Sequence, residues 1–252
     1  MTQDITLERF ETHPGILVIR INRPAKKNAI TRDMYGAMAV ALADANNDDA
    51  VEAVVLFGVP GSFSAGNDIS DFLTMAEGED ETRNIKAFLH QLAVFDKPLV
   101  SGADGIAVGI GTTIHLHCDM TFATARTVFR TPFTDLAVVP EAASSLIVPR
   151  LMGHQRAFAL LVAGLPFTAE EAREAGLIWK IVGEEELEVA TLDAARHIIN
   201  RPKEALRLSR QLVRGSSNEI LGRMDEEMKI FVERLQSDEA KALYKAFLEK
   251  KR

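Results

Sequence analysis

Two glycine-bearing segments carry the clearest chemical signal in this chain: Phe63-Ser64-Ala65-Gly66-Asn67-Asp68 and Gly105-Ile106-Ala107-Val108-Gly109-Ile110-Gly111. Each follows an apolar, strand-like run. Glycine admits a sharp turn and lets another group approach the backbone closely. Two such turns can aim two backbone N–H groups at one oxygen, the geometry that stabilises negative charge developing on a carbonyl. Taken singly, each is equally an ordinary strand-to-helix loop. Nucleotide-phosphate loops are absent, since the chain contains neither G-x-G-x-x-G nor G-x-x-x-x-G-K-[ST].

The matching acid or base is Glu141, a lone carboxylate between Val138-Val139-Pro140 and Ala142-Ala143-Ser144-Ser145. It reads either as an acid placed at a helix N-terminus, which the dipole stabilises by about 0.3–1 kcal/mol, or as a general base whose proton affinity an apolar pocket raises. The two readings pull its pKa in opposite directions, so a base here must turn its side chain away from the dipole. Asp68, Asp119 and Asp135 are expected to be structural, Asp68 as the cap of a following helix. His115-Leu116-His117-Cys118-Asp119 has no second ligand cluster, and no metal site is expected. Ser144 and Ser145 lack the G-x-S-x-G context of a serine nucleophile. Arg23, Lys26 and Lys27 form a basic loop, either solvated or facing an anionic ligand.

The elements that must hold these residues are legible from periodicity. Ile5–Arg9, Gly15–Asn22, Val51–Phe57, Pro98–Ser101, Met120–Ala125, Thr127–Arg130 and Leu177–Val182 read as strands. Apolar residues at Met34, Ala37, Met38, Ala41, Leu42 and Ala45 predict a helix capped by Thr31, and Ile85, Phe88, Leu89 and Leu92 predict another. A third is expected to start near Gly109. Thr168-Ala169-Glu170-Glu171 forms a capping box, with Gly176 as the C-terminal stop. Beyond about residue 199 the chain reads as all helical. The apolar seam of Leu221, Met224, Met228, Phe231 and Leu235 suits either the chain's own core or a subunit interface. A last helix opens at Ser237 and carries Leu243, Phe247 and Leu248. The fold class is therefore α/β, with a helical C-terminal region.

Composition narrows the partners. A net charge of −7 argues against nucleic acid or an anionic membrane as the main partner. The only cysteine is Cys118, and no run approaches the roughly 20 apolar residues of a membrane span. With no basic-then-apolar leader at Met1, these features predict a cytoplasmic, reducing location.

Taken jointly, Asn22-Arg23-Pro24-Ala25-Lys26-Lys27-Asn28-Ala29, Phe63-Ser64-Ala65-Gly66-Asn67-Asp68-Ile69, the second glycine segment, and Phe129-Arg130-Thr131-Pro132-Phe133 followed by Pro140-Glu141 resemble the enoyl-CoA hydratase/isomerase (crotonase) superfamily, in order and spacing, over essentially the whole chain. The resemblance implies a crotonase-like spiral of ββα units over residues 1–198. It implies a helical oligomerisation region over 199–252 that forms a homotrimer or a dimer of trimers. It implies an acyl-CoA thioester substrate, with no cofactor beyond the coenzyme A of that substrate. The backbone N–H groups of Asn67 and Ile110 become the oxyanion donors. Arg23, Lys26, Lys27, Ser64, Ala65, Gly66, Asn67, Asp68, Ile69, Ile106 and Gly109 become substrate-binding positions.

The departures select the reaction. Hydratases of this superfamily hold a water with two glutamates, whose positions here are Thr113 and Phe133. Each lost acid–base group costs about 10²–10⁴-fold. Glu141 instead matches the single catalytic glutamate of the peroxisomal type of Δ3,Δ2-enoyl-CoA isomerase, so a double-bond shift with Glu141 as base is expected. Thr113 and Phe133 are expected to help keep the site dry, and Asn67→Ala to do little because its N–H remains. The rival readings are hydration or another CoA reaction on the same scaffold, and a non-catalytic acyl-CoA or RNA binder.

Overall fold

Ile16–Ile21 (β2) alternates its side chains between two apolar layers, and that alternation organises the molecule. In this computed structural model, which describes residues 4–71 and 79–249, Ile16 and Val18 enter one core cluster, while Leu17, Ile19 and Ile21 enter a second and larger one. A strand buried on both faces in this way belongs inside a parallel sheet covered on both sides. The strands among the described residues are β1 (Ile5–Glu8), β2, β3 (Ala53–Phe57), β4 (Ser62–Ser64), β5 (Leu99–Ala103), β6 (Ile106–Val108), β7 (Met120–Thr124), β8 (Val128–Arg130), β9 (Phe167–Thr168) and β10 (Lys180–Val182).

They form two sheets, ordered β1-β2-β3-β5-β7-β10 and β4-β6-β8-β9. Only the edge pairs β1–β2 and β8–β9 are antiparallel. From β3 onward the chain gives one strand to the large sheet and the next to the small one, three times in succession. This is the spiral of ββα units, and its consequence is local. Because β4 and β6 run parallel as neighbours, the turns that leave them emerge side by side at one sheet edge.

Helices α1 (Arg32–Asn47), α2 (Glu79–Val94) and the short α3 (Ile110–Thr113) close the first units. Thr31 caps α1 as expected, its hydroxyl accepting from the Met34 N–H. The next helices are α4 (Ser144–Met152), α5 (His154–Leu161), α6 (Ala169–Glu174) and α7 (Leu187–Ile199). The capping box at Thr168 is present. Leu187, Leu192 and Ala195 of α7 cover the Ile16/Val18 face of the large sheet, while α1 and α2 cover the other.

The helical tail consists of α8 (Lys203–Arg214), α9 (Ser217–Leu235) and α10 (Asp238–Glu249). The α9 seam lies on the chain's own core: Met224, Phe231 and Leu235 are buried in the main cluster, and Leu221 and Met228 pack against it. Helix α8 buries no residue, and its Leu212 and Val213 are 85% and 87% exposed. The side chains of Phe247 and Leu248 lie outside the described residues. Among the described residues, no helix is long and apolar enough to cross a membrane.

Candidate active site

The two glycine turns meet. Gly66 and Gly109 have φ of 87° and 56°, and a Cβ on Gly66 would stand 2.8 Å from the Val108 carbonyl oxygen. A side chain at either position would strain its turn, and one at Gly66 would also push the two turns apart. Ile30 donates to the Gly66 carbonyl and accepts from the Asp68 N–H, both at 2.8–2.9 Å, so the Asn67 N–H between them faces the opposite way. Ile110 opens α3, where the first N–H groups have no intrahelical acceptor. Among the described residues, neither N–H has an acceptor within the protein. Both residues line a cavity of about 180 Å³ with Ala65, Gly66, Ile69, Val108, Gly109, Pro132, Phe133, Leu136, Val138 and Phe231.

Glu141 lies in an adjoining recess that shares Asn67 and Phe231 with this cavity and adds Thr82, Ile85 and Met228. It is 5% exposed. Burial pushes its carboxyl up to about 8, against the hydrogen bond from Thr113, which lowers it, and with the nearby Glu227, which raises it further. The Thr113 hydroxyl donates to Glu141 Oε1 at 2.5 Å. Beyond the water-excluding role expected of Thr113, its hydroxyl thus holds Glu141. Phe133 does line the cavity, as a dry apolar wall.

The chain reaches Glu141 through an unusual turn. Ala142 and Ala143, both buried, adopt φ of 59° and 55°. Left-handed backbone costs a non-glycine residue about 1–2 kcal/mol. The Glu141 side chain reaches Thr113, while the N–H groups of Ala143 and Ser145 at the start of α4 go to Glu227. The His117 ring faces the Ala142 carbonyl at 2.8 Å and so donates through Nε2. Burial lowers His117 to about 4 and His115 to about 3. Both rings are thus neutral core groups, and among the described residues no cluster could hold a metal.

The other expected positions divide between lining and support. Ser64 is buried; its hydroxyl donates to the Asn28 carbonyl and accepts from the Gly66 N–H, shaping the first turn from behind. Ile106 lies within β6, outside the cavity lining. Arg23 is tied into the loop by Asp68 at 2.6 Å and the Ala29 carbonyl at 3.0 Å, whereas Lys26 and Lys27 are exposed. Burial raises the Asp68 carboxyl, but Ser70 and Arg23 outweigh it and hold it below its usual value. Asp68 also accepts from the Ser70 N–H at a helical turn, as a cap does.

Tyr35 has no counterpart in the sequence reading. Its buried hydroxyl donates to Asn67 Oδ1 at 2.5 Å. Asn67→Ala therefore keeps the backbone donor but strands a buried hydroxyl, at about 1–3 kcal/mol. The expected result is a melting temperature lower by several degrees in calorimetry, with kcat within about tenfold of wild type.

Two backbone donors thus line a cavity, and a desolvated carboxyl occupies the recess adjoining it, on this spiral α/β scaffold. The chain belongs to the enoyl-CoA hydratase/isomerase family, whose model matches residues 11–252. It is 36% identical over 218 residues to rat enoyl-CoA delta isomerase 2, covering 84% of this chain and 56% of that protein. It is 35% identical over 236 residues to mouse enoyl-CoA delta isomerase 3, peroxisomal, covering 91% of this chain and 74% of that one. The chain thus spans little more than half the length of the rat relative. The crystal structure of an enoyl-CoA hydratase/isomerase from Pseudoalteromonas atlantica superposes with a TM-score of 0.91 at 36% identity, covering 98% of each chain.

Proposed function

We propose that this protein isomerises an enoyl-CoA, moving a double bond from C3 to C2. The observation that carries this reading is that, among the described residues, one buried carboxyl, Glu141, faces the recess beside the Asn67 and Ile110 N–H pair. A 1,3-shift needs one base and no positioned water. Glu141 as carboxylate takes the C2 proton. The electron pair spreads into a dienolate whose oxygen receives hydrogen bonds from the two backbone N–H groups. The protonated Glu141 then returns its proton at C4, so atoms and charge balance. Hydration would need a second carboxylate on the water. Among the described residues, the other buried carboxyl nearby is Glu227, and both its oxygens are occupied by backbone N–H groups.

The test is a paired assay. A 3-enoyl-CoA is expected to give the conjugated 2-enoyl thioester, followed by its ultraviolet absorbance. Crotonyl-CoA is expected to gain water at least about 10²-fold more slowly. Hydration that outpaces isomerisation overturns the proposal.

A further inference from the structure

Helix α4 begins two residues after the Glu141–Ala142 peptide, and its N-terminal N–H groups need an acceptor. Glu141, the nearest carboxylate in sequence, does not supply one. Glu227, on α9 and 5% exposed, does: its Oε2 accepts from the Ala143 N–H at 2.7 Å and its Oε1 from the Ser145 N–H at 2.9 Å. The cap therefore comes from a helix more than 80 residues away. It grips the second of the two left-handed alanines, while His117 holds the carbonyl of the first. Strained backbone of this kind persists only where its surroundings over-determine it.

We propose that Glu227 is a positioning residue for Glu141. By capping α4 and clamping the Ala142–Ala143 turn, it keeps Glu141 aimed into the recess and shielded from the helix dipole. This inference rests on Glu141 being the base.

The charges around Glu141 among the described residues are these. On α9, Arg223 pairs with Glu226, donates to Ser145 Oγ and lowers the Glu227 carboxyl through its charge. On α1 there is the neutral Tyr35 phenol, which burial first and the charges of Glu141 and Asp71 next hold well above its usual range. After α3 there is neutral His117. On α2, Lys86 and His90 are tied to Asp225 of α9. Burial raises the Glu227 carboxyl, against the Ser145 side chain, the Ser145 and Ala143 N–H groups and Arg223. With both oxygens accepting, its ionised form fits best. Removing that charge takes an anion from beside Glu141 and leaves the positive end of α4 unopposed, and both effects weaken Glu141 as a base.

The experiment uses the full chain with Glu227→Gln, which keeps the shape and one acceptor but not the charge. Carbon-13 NMR of labelled glutamates, with the Glu141 resonance assigned by its loss in Glu141→Gln, is expected to show the Glu141 midpoint lower by about one unit. The plateau kcat is expected to fall on the order of tenfold with KM unchanged. If Glu227→Gln folds poorly, Glu227→Gln with Ala143→Gly takes its place, since glycine holds the left-handed turn without strain; the midpoint shift is expected to remain. An unmoved midpoint and kcat, with only a lowered melting temperature, overturn the inference. An active Glu141→Gln instead overturns the isomerase reading and leaves the titration result standing.

Discussion

Glu141→Gln is expected to lose 3-enoyl-CoA isomerisation by about 10²–10⁴-fold and, at pH 8, to melt at a higher temperature than wild type. The two effects share one cause. The amide keeps an acceptor for the Thr113 hydroxyl, so the recess retains its shape, but it cannot take the C2 proton. The stability gain follows from the raised carboxyl. Glu141 titrates near 8 in the folded chain against an ordinary value of 4.5. Between those values the folded state holds a proton that the unfolded state has released, so wild-type stability falls as pH rises through the window. Glutamine does not titrate, so the variant's advantage grows from about pH 5 and is complete above pH 8. Calorimetry at pH 5 and pH 8 beside the isomerase assay checks this. A variant that is inactive but no more stable at pH 8 would show that Glu141 is not held against its own ionisation.

That trade is what a functional site asks of a fold. A desolvated carboxyl, the two left-handed alanines that follow it, and two backbone N–H groups without acceptors among the described residues each cost stability, and they gather at the cavity, its recess and the turn beside it. The cost is borne by the two apolar layers on either side of the large sheet, whose inner strands are legible from sequence because runs such as Ile16–Ile21 are almost continuously apolar, as burial on both faces requires. The glycine turns are legible for a related reason: only Gly66 allows so close an approach of the β6 end. Supporting groups left no such mark. Thr113 reaches Glu141 across 28 positions and Tyr35 reaches Asn67 across 32. A threonine and a tyrosine inside helical patterns look like any others. The α9 seam was ambiguous because own-core and interface packing ask for the same residues, and only the fold shows Phe231 in both the core and the cavity wall. The start of the last strand also differs, at Lys180 rather than Leu177, because Leu177 is still donating to the Ala172 carbonyl at the end of α6.

Thr113→Val should separate proton affinity from proton transfer. Valine matches threonine in size and keeps the recess dry, but it removes the hydroxyl that stabilises the Glu141 carboxylate. A hydrogen bond to a charged group contributes about 1.5–3 kcal/mol, which corresponds to roughly one to two pH units. The acidic limb of kcat/KM reports the essential base of the free enzyme. In wild type that limb is expected near pH 8, falling tenfold per unit below it. In Thr113→Val it is expected to move to higher pH, so that the variant is about 10–100-fold slower at pH 7 and approaches wild type only well above pH 9. The plateau itself should change little, because the more basic carboxylate, once formed, is at least as good at taking the C2 proton. The sign is opposite to that expected for Glu227→Gln, where loss of a neighbouring anion moves the midpoint down. Two substitutions on opposite sides of one carboxyl, one donating a hydrogen bond and one supplying negative charge, thus bracket its proton affinity from both directions. An acidic limb that stays in place in Thr113→Val would mean that the hydroxyl does not face the carboxylate in solution, and that some other group sets the rate.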